Sequence, residues 1–191
     1  MVAVALLLAY GIGTLPTAIV VGARRGIDPT TSGSGNPGAT NMYRTGGRRA
    51  GVMVLAVDLL KGALAAGVGL ALAGSTLGLA MGAAAVVGHV FPVQRSFRGG
   101  KGVATAAGVG IVVTPIVMLV LAVVFAATAK VTGRASIASI VVCVLWPIGV
   151  GLAGRPVAEV ALTACMGTLV IFRHHSNIRR LLGRTEPRLE A

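Results

Sequence analysis

The sequence predicts an all-α, polytopic membrane helix bundle with about seven transmembrane helices. Three observations predict it. Of 191 residues, 55% are hydrophobic and 12% charged, against roughly a quarter charged in a soluble domain. Uncharged apolar runs at 1–21, 75–93, 102–129 and 136–154, with a nearly clean one at 156–172, approach or exceed the ~20 residues that cross a bilayer. The 17 Lys and Arg, set against 5 Asp and Glu for a net charge of +12, fall mostly between those runs.

Each span follows in order. Run 1–21 lacks a cationic n-region, and its first charges, Arg24 and Arg25, come after it, so it reads as a retained span and not a signal peptide. Span two, about 50–73, contains Asp58 and Lys61 at i, i+3, where a compensated pair costs far less than either charge alone. A turn at Gly74-Ser75 leads to span three, 75–93. Run 102–129 would extend ~42 Å as one tilted helix, but Thr114-Pro115 near its middle favours a break. Splitting there places Lys130 and Arg134 on the same side as the other cations; the unsplit chain has one span fewer and the wrong parity for its C-terminus. Segments 136–154 and 156–172 complete the bundle. By the positive-inside rule, 22–49, 94–101, Lys130 with Arg134, and 173–191 are cytoplasmic, which puts the N-terminus outside and the C-terminus in the cytoplasm. No repeat or soluble segment interrupts 1–191, which reads as a single integral-membrane domain.

Composition also excludes classes. Aromatics make up 4%, and no soluble basic face carries stacking residues, so nucleic acid is not the expected partner. Anionic lipid head groups and phosphorylated substrates are. Cys143 and Cys165 lie within apolar runs and suggest neither a disulfide framework nor a zinc site. His89, His174 and His175 are followed five residues on by Gln94, Arg179 and Arg180, so the His-Asp box of acyl-CoA acyltransferases is missing. No carboxylate cluster for Mg²⁺ is readable, and neither a metal nor a cofactor is expected.

Chemistry gathers in three segments. The first reads Ser32-Gly33-Ser34-Gly35-Asn36-Pro37-Gly38-Ala39-Thr40-Asn41, then Arg44. Its glycines match a dinucleotide fingerprint literally, but they follow a membrane span and Pro37 interrupts the pattern. Small residues that let backbone N–H groups approach an anion, hydroxyls at Ser34 and Thr40, amides at Asn36 and Asn41, and the Arg44 fork make a phosphate cradle, where a flexible linker would not concentrate such groups. In the second, Gly88-His89-Val90-Phe91-Pro92 runs on to Gly99-Gly100-Lys101-Gly102, which opens an apolar helix. That arrangement puts an ammonium and free amides at a helix N-terminus. Gly102 stands where a Walker A loop needs Ser or Thr, so a nucleotide is not expected. The third, from Arg173 to Leu181, puts His174 and Asn177 on one helical face, with Arg179 and Arg180 left for head groups. Ser136 and Ser139 open the span after Arg134, where serines commonly cap or back-bond.

These three segments resemble the cytoplasmic motifs of the bacterial acyl-phosphate:glycerol-3-phosphate acyltransferases, the PlsY family, in order and at matching spacing over nearly the whole chain. Asp58-Leu-Leu-Lys61-Gly62 is similar to the family's second-span signature. The resemblance implies transfer of a fatty acyl group from acyl phosphate to the 1-hydroxyl of sn-glycerol 3-phosphate, giving lysophosphatidic acid and inorganic phosphate, the first step of phospholipid synthesis. It also implies a multi-pass enzyme of the bacterial inner membrane whose active site faces the cytoplasm. Ser34, Arg44, Lys101, His174 and Asn177 fall on the family's active-site positions, and Ser139, or else Ser136, on its serine before the sixth span. Gly33, Gly35, Asn36, Gly38, Thr40, Asn41, His89, Gly99, Gly100, Gly102 and Ser136 are expected to line the substrates. Gly183 stands one position earlier than in the family's usual Gly-Thr-Glu, and Glu186 is not placed among the catalytic residues.

Two readings compete. An anion or phosphate-ester transporter also uses glycine-rich loops and arginines near spans, but here the polar segments gather on one side and no matched pair of broken helices recurs. A lipid-binding scaffold needs the cations but not Ser34, Asn36, Lys101 or Asn177.

Overall fold

The computed structural model describes residues 1–189; the final two residues of the tail assigned to the cytoplasm lie outside them. Every regular element among the described residues is helical. The chain forms two compact units, 1–113 and Thr114 onward.

The first unit begins with α1 (Val2–Gly13) and α2 (Thr17–Ala23), not the single helix that run 1–21 suggested. Pro16 has no N–H to continue the ladder, and the break leaves carbonyls that an apolar setting cannot hydrate. Side chains from distant sequence take them up. The Lys61 ammonium donates to the carbonyls of Gly13 at 3.2 Å and Leu15 at 3.1 Å, and Gln94 donates to that of Thr14 at 2.7 Å. Lys61 also pairs with Asp58 at 2.8 Å, both buried, which is the compensated pair the spacing predicted.

Next comes α3 (Ala39–Val90), interrupted by non-helical residues at Gly47 and at Ala73 and Gly74. The second interruption is the expected turn, because Gly78 packs back on the Ala66 carbonyl and on Gly69. The first falls within 22–49, the segment expected in the cytoplasm, where Ala39 already begins helix. After a 3-10 turn at Val93–Arg95 comes α4 (Val103–Val113). It presses on α3 through Gly62 against the Thr105 carbonyl and Gly108 against that of Leu59, approaches so close that a Cβ at either glycine would collide. Lipid gives helices little hydrophobic reason to associate, so small residues that allow such van der Waals contact supply it.

In the second unit, α5 (Pro115–Thr132) starts at the expected break, with its proline at the position where a missing N–H costs nothing. The indole of Trp146 donates to the Thr114 hydroxyl at 3.1 Å. Then follow α6 (Ala135–Leu152) and α7 (Val157–Arg173), and a 56° bend leads into α8 (His175–Leu182). Pro147 frees the Cys143 carbonyl inside α6, and Gly167 of α7 packs against it. Fully buried Glu159 is paired with Arg155 at 2.7 Å. Ile116, Leu119, Val120 and Val123 stand exposed along α5, the face a bilayer would wet.

Among the described residues, four helical stretches are long and apolar enough to cross a membrane: Val2–Ala23, Ala39–Arg95, Pro115–Thr132 and Ala135–Leu152. The second folds back at Gly74 and so holds two long legs. Helices α7 and α8 qualify only as a bent pair, and α4 is a shorter apolar helix.

Candidate active site

The first glycine-rich segment is organised from within. Asn41, on the first turn of α3 and 2% exposed, accepts a hydrogen bond from the Ser34 amide at 2.8 Å and donates to the carbonyls of Pro29 at 2.9 Å and Ser32 at 3.0 Å. Gly33 and Gly35 take left-handed φ of 60° and 70°, and a Cβ at Gly33 would run into the Asn41 amide oxygen, so this chain path requires glycine. Ser34, Thr40 and Arg44 are solvent-exposed; Asn36 and Gly38 are half-buried.

This geometry corrects where the free amides lie. The N–H groups of Ser34, Gly35 and Gly38 are spent on Asn41, Ser32 and Asn36. The first helical bond, Met42 to Gly38, leaves Ala39, Thr40 and Asn41 without intrahelical acceptors, and Gly38 caps the helix without a side chain. The amides this segment could offer an anion therefore belong to the first turn of α3, directly before Arg44.

The second segment repeats the plan. Gly99 and Gly100 donate to the carbonyls of Val90 and His89, tying the loop to the end of α3, so they do not offer the free amides expected of them. The first bond of α4, Ala106 to Gly102, leaves Val103, Ala104 and Thr105 as its first-turn donors, with half-buried Lys101 next to them. Thr105 is fully buried, and its hydroxyl has no hydrogen-bond partner among the described residues. His89 Nδ1 lies 3.1 Å from Lys61 Nζ; an ammonium only donates, so Nδ1 accepts and the ring proton is on Nε2.

In the second unit the bend between α7 and α8 falls at His174, so the two residues do not share the one continuous helix the spacing assumed, yet His174 and Asn177 are both buried. His174 Nδ1 is 2.8 Å from the Val170 carbonyl, which fixes a proton on Nδ1 and leaves Nε2 as the acceptor of the neutral ring. Glu186 is the residue sequence reasoning passed over. Its Oε1 accepts from Ser136 at 2.7 Å and Asn177 at 2.6 Å, its Oε2 from Arg180 at 2.7 Å, and its own carbonyl from Arg134 at 3.3 Å. Burial pushes this carboxyl up, but the bonds from Asn177, Ser136 and Arg180 and the Arg180 charge outweigh it and hold it below the usual range. The signal was present: Glu186 is an acid set among Arg179, Arg180, Arg184 and Arg188. Ser136 is thus bound into this carboxylate cluster. Ser139, one turn on, back-bonds to the Ala135 carbonyl at 2.8 Å.

The comparisons with known proteins agree on the class. A crystal structure of PlsY (YgiH), an integral membrane glycerol 3-phosphate acyltransferase, in its glycerol 3-phosphate form superposes with a TM-score of 0.95 at 36% identity, covering 99% of this chain and 96% of that one. The lysophosphatidic acid form gives 0.92, also at 36% identity, covering 98% and 94%. The chain is therefore an integral-membrane acyltransferase. Residues 3–184 match the glycerol-3-phosphate acyltransferase family model, and the glycerol-3-phosphate acyltransferase of Bacillus cytotoxicus is 43% identical over 96% of this chain and 92% of its own. That of Syntrophotalea carbinolica is 42% identical over 97% and 96%. The chain belongs to the glycerol-3-phosphate acyltransferase family.

Proposed function

We propose that residues 1–191 act as one integral-membrane domain that transfers a fatty acyl group from acyl phosphate to the 1-hydroxyl of sn-glycerol 3-phosphate, releasing inorganic phosphate and lysophosphatidic acid. The observation that carries this reading is the pair of helix starts after Gly38 and Gly102, each with first-turn amides beside a cation, Arg44 in one and Lys101 in the other. Two phosphate-bearing substrates call for two such anion sites.

In this mechanism Arg44 and Lys101 neutralise the substrate phosphates, Ser34 and Asn177 donate to phosphate oxygens, and Ser139, whose one hydrogen goes to the Ala135 carbonyl, offers its oxygen as an acceptor to a substrate hydroxyl. His174, its Nε2 an acceptor, orients the hydroxyl or the phosphate. The glycerol hydroxyl attacks the acyl carbonyl carbon, the C–O bond to phosphate breaks, and the departing phosphate takes the hydroxyl proton. Positioning and electrostatic stabilisation supply the rate. The remaining loop residues, Gly33, Gly35, Asn36, Gly38, Thr40, Asn41, His89, Gly99, Gly100, Gly102 and Ser136, shape the surface.

The test is phosphate release by purified protein in lipid, with palmitoyl phosphate and glycerol 3-phosphate supplied together, singly, or with acyl-CoA replacing acyl phosphate. Release that needs both substrates and yields lysophosphatidic acid is expected. Absence of turnover in folded protein, with phosphate uptake into liposomes, favours the transporter instead.

For topology, we propose seven spans in a bacterial inner membrane, the N-terminus outside, and the C-terminus and the active site facing the cytoplasm among membrane lipids. Apolar α4 and α5, broken at Thr114, support counting run 102–129 as two spans. A reporter at Thr114 is expected outside and one at Lys130 inside; both on one side would refute the split.

A further inference from the structure

We propose that the buried Asp58–Lys61 pair is a positioning device for the glycine turn before Lys101, acting through His89. This rests on the acyltransferase reading and adds to it a role for charges that no substrate need touch.

A salt bridge alone does not explain the arrangement. Lys61 and Asp58 are 3% and 2% exposed, and a buried pair is often no more stabilising than apolar residues of the same size. The ammonium is not satisfied by Asp58 alone. It holds the Gly13 and Leu15 carbonyls of the α1–α2 break and His89 Nδ1 at 3.1 Å, while Asp58 lies 3.8 Å from the same ring nitrogen. The imidazole is thereby fixed in one tautomer and one orientation. Its other nitrogen meets Gly100 so closely that a Cβ there would collide with the ring, and its own carbonyl accepts the Gly100 amide at 3.2 Å. The end of α3 is braced separately, by Tyr10 donating to the Phe91 carbonyl at 2.7 Å and Gln94 to that of Thr14. Lys61 therefore links the fixed break in α1–α2 to the imidazole against which Gly100 is laid. Lys101 is the next residue.

The experiment compares wild type, Lys61→Met, Asp58→Leu with Lys61→Met, and His89→Gln in lipid nanodiscs by hydrogen exchange and by steady-state kinetics. The double variant removes both charges together, so neither is left buried alone. Exchange over residues 97–102 is expected to quicken at least tenfold in all three variants, with 33–42 unchanged. KM for glycerol 3-phosphate or for acyl phosphate, but not both, is expected to rise tenfold or more. Unchanged exchange over 97–102 in the folded variants overturns the proposal. So does a fall in kcat with both KM values unchanged, or an equal quickening over 33–42, which marks a merely structural pair. If neither Lys61 variant folds, His89→Gln decides by the same exchange criterion. Wild type that folds but shows no turnover defeats the acyltransferase reading, and the exchange comparison still judges the linkage.

Discussion

Replacing Lys101 with alanine is expected to lower kcat/KM for acyl transfer by about 10³-fold, or ~4 kcal/mol of transition-state stabilisation, at the upper end of what one preorganised electrostatic contact is worth. The side chain stands half-buried beside the first turn of α4, where, on the proposed reading, the helix dipole and the ammonium would act on one anion. Thermal stability should change little, which separates this loss from unfolding. His174→Ala makes the informative comparison. Its Nδ1 holds the Val170 carbonyl, which orients the ring; retention of wild-type turnover by His174→Ala, alongside loss in Lys101→Ala, excludes a required histidine base. Turnover of Lys101→Ala within threefold of wild type would remove Lys101 from the machinery.

Glu186→Ala is expected to destabilise the second unit by about 2–4 kcal/mol, since it takes the shared acceptor from buried Ser136 and Asn177, each bond of this kind costing ~1–3 kcal/mol when broken. Arg180 is about a third exposed, so screening reduces its share. Activity should fall with stability, because Asn177 loses its anchor. The carboxyl is held below its ordinary value in the fold, so its contribution is fully present above that ordinary value and is lost as the pH falls through the lowered one. Thermal midpoints of wild type should decline on acidification more steeply than those of Glu186→Gln. Parallel declines would show that the carboxylate carries no such linkage.

These residues also show what a sequence can and cannot disclose. The break at Pro115 was legible because proline and the parity of Lys130 and Arg134 pointed the same way. The equal break at Pro16 was not, since run 1–21 is uniformly apolar and the groups that satisfy its carbonyls, Lys61 and Gln94, come from far along the chain. Likewise the glycines of both loops announced close backbone approach, but which amides are already spent depends on Asn41 and on the end of α3. The candidate residues themselves were readable, since a dense set of small and polar side chains between apolar spans has few other uses. Glu186 was readable only as an oddity of charge, because its significance lies in three donors that converge on it from α6 and α8.

The walls around the glycines bear on drug resistance. At Gly33 any side chain strikes Asn41, and at Gly99 and Gly100 it strikes His89. An inhibitor shaped to those surfaces would face a target that point substitution can neither enlarge nor obstruct without deforming the loop that carries Ser34 or Lys101. Escape variants would then have to arise among the charged side chains proposed to serve turnover, so resistance to such a compound should carry a measurable growth cost.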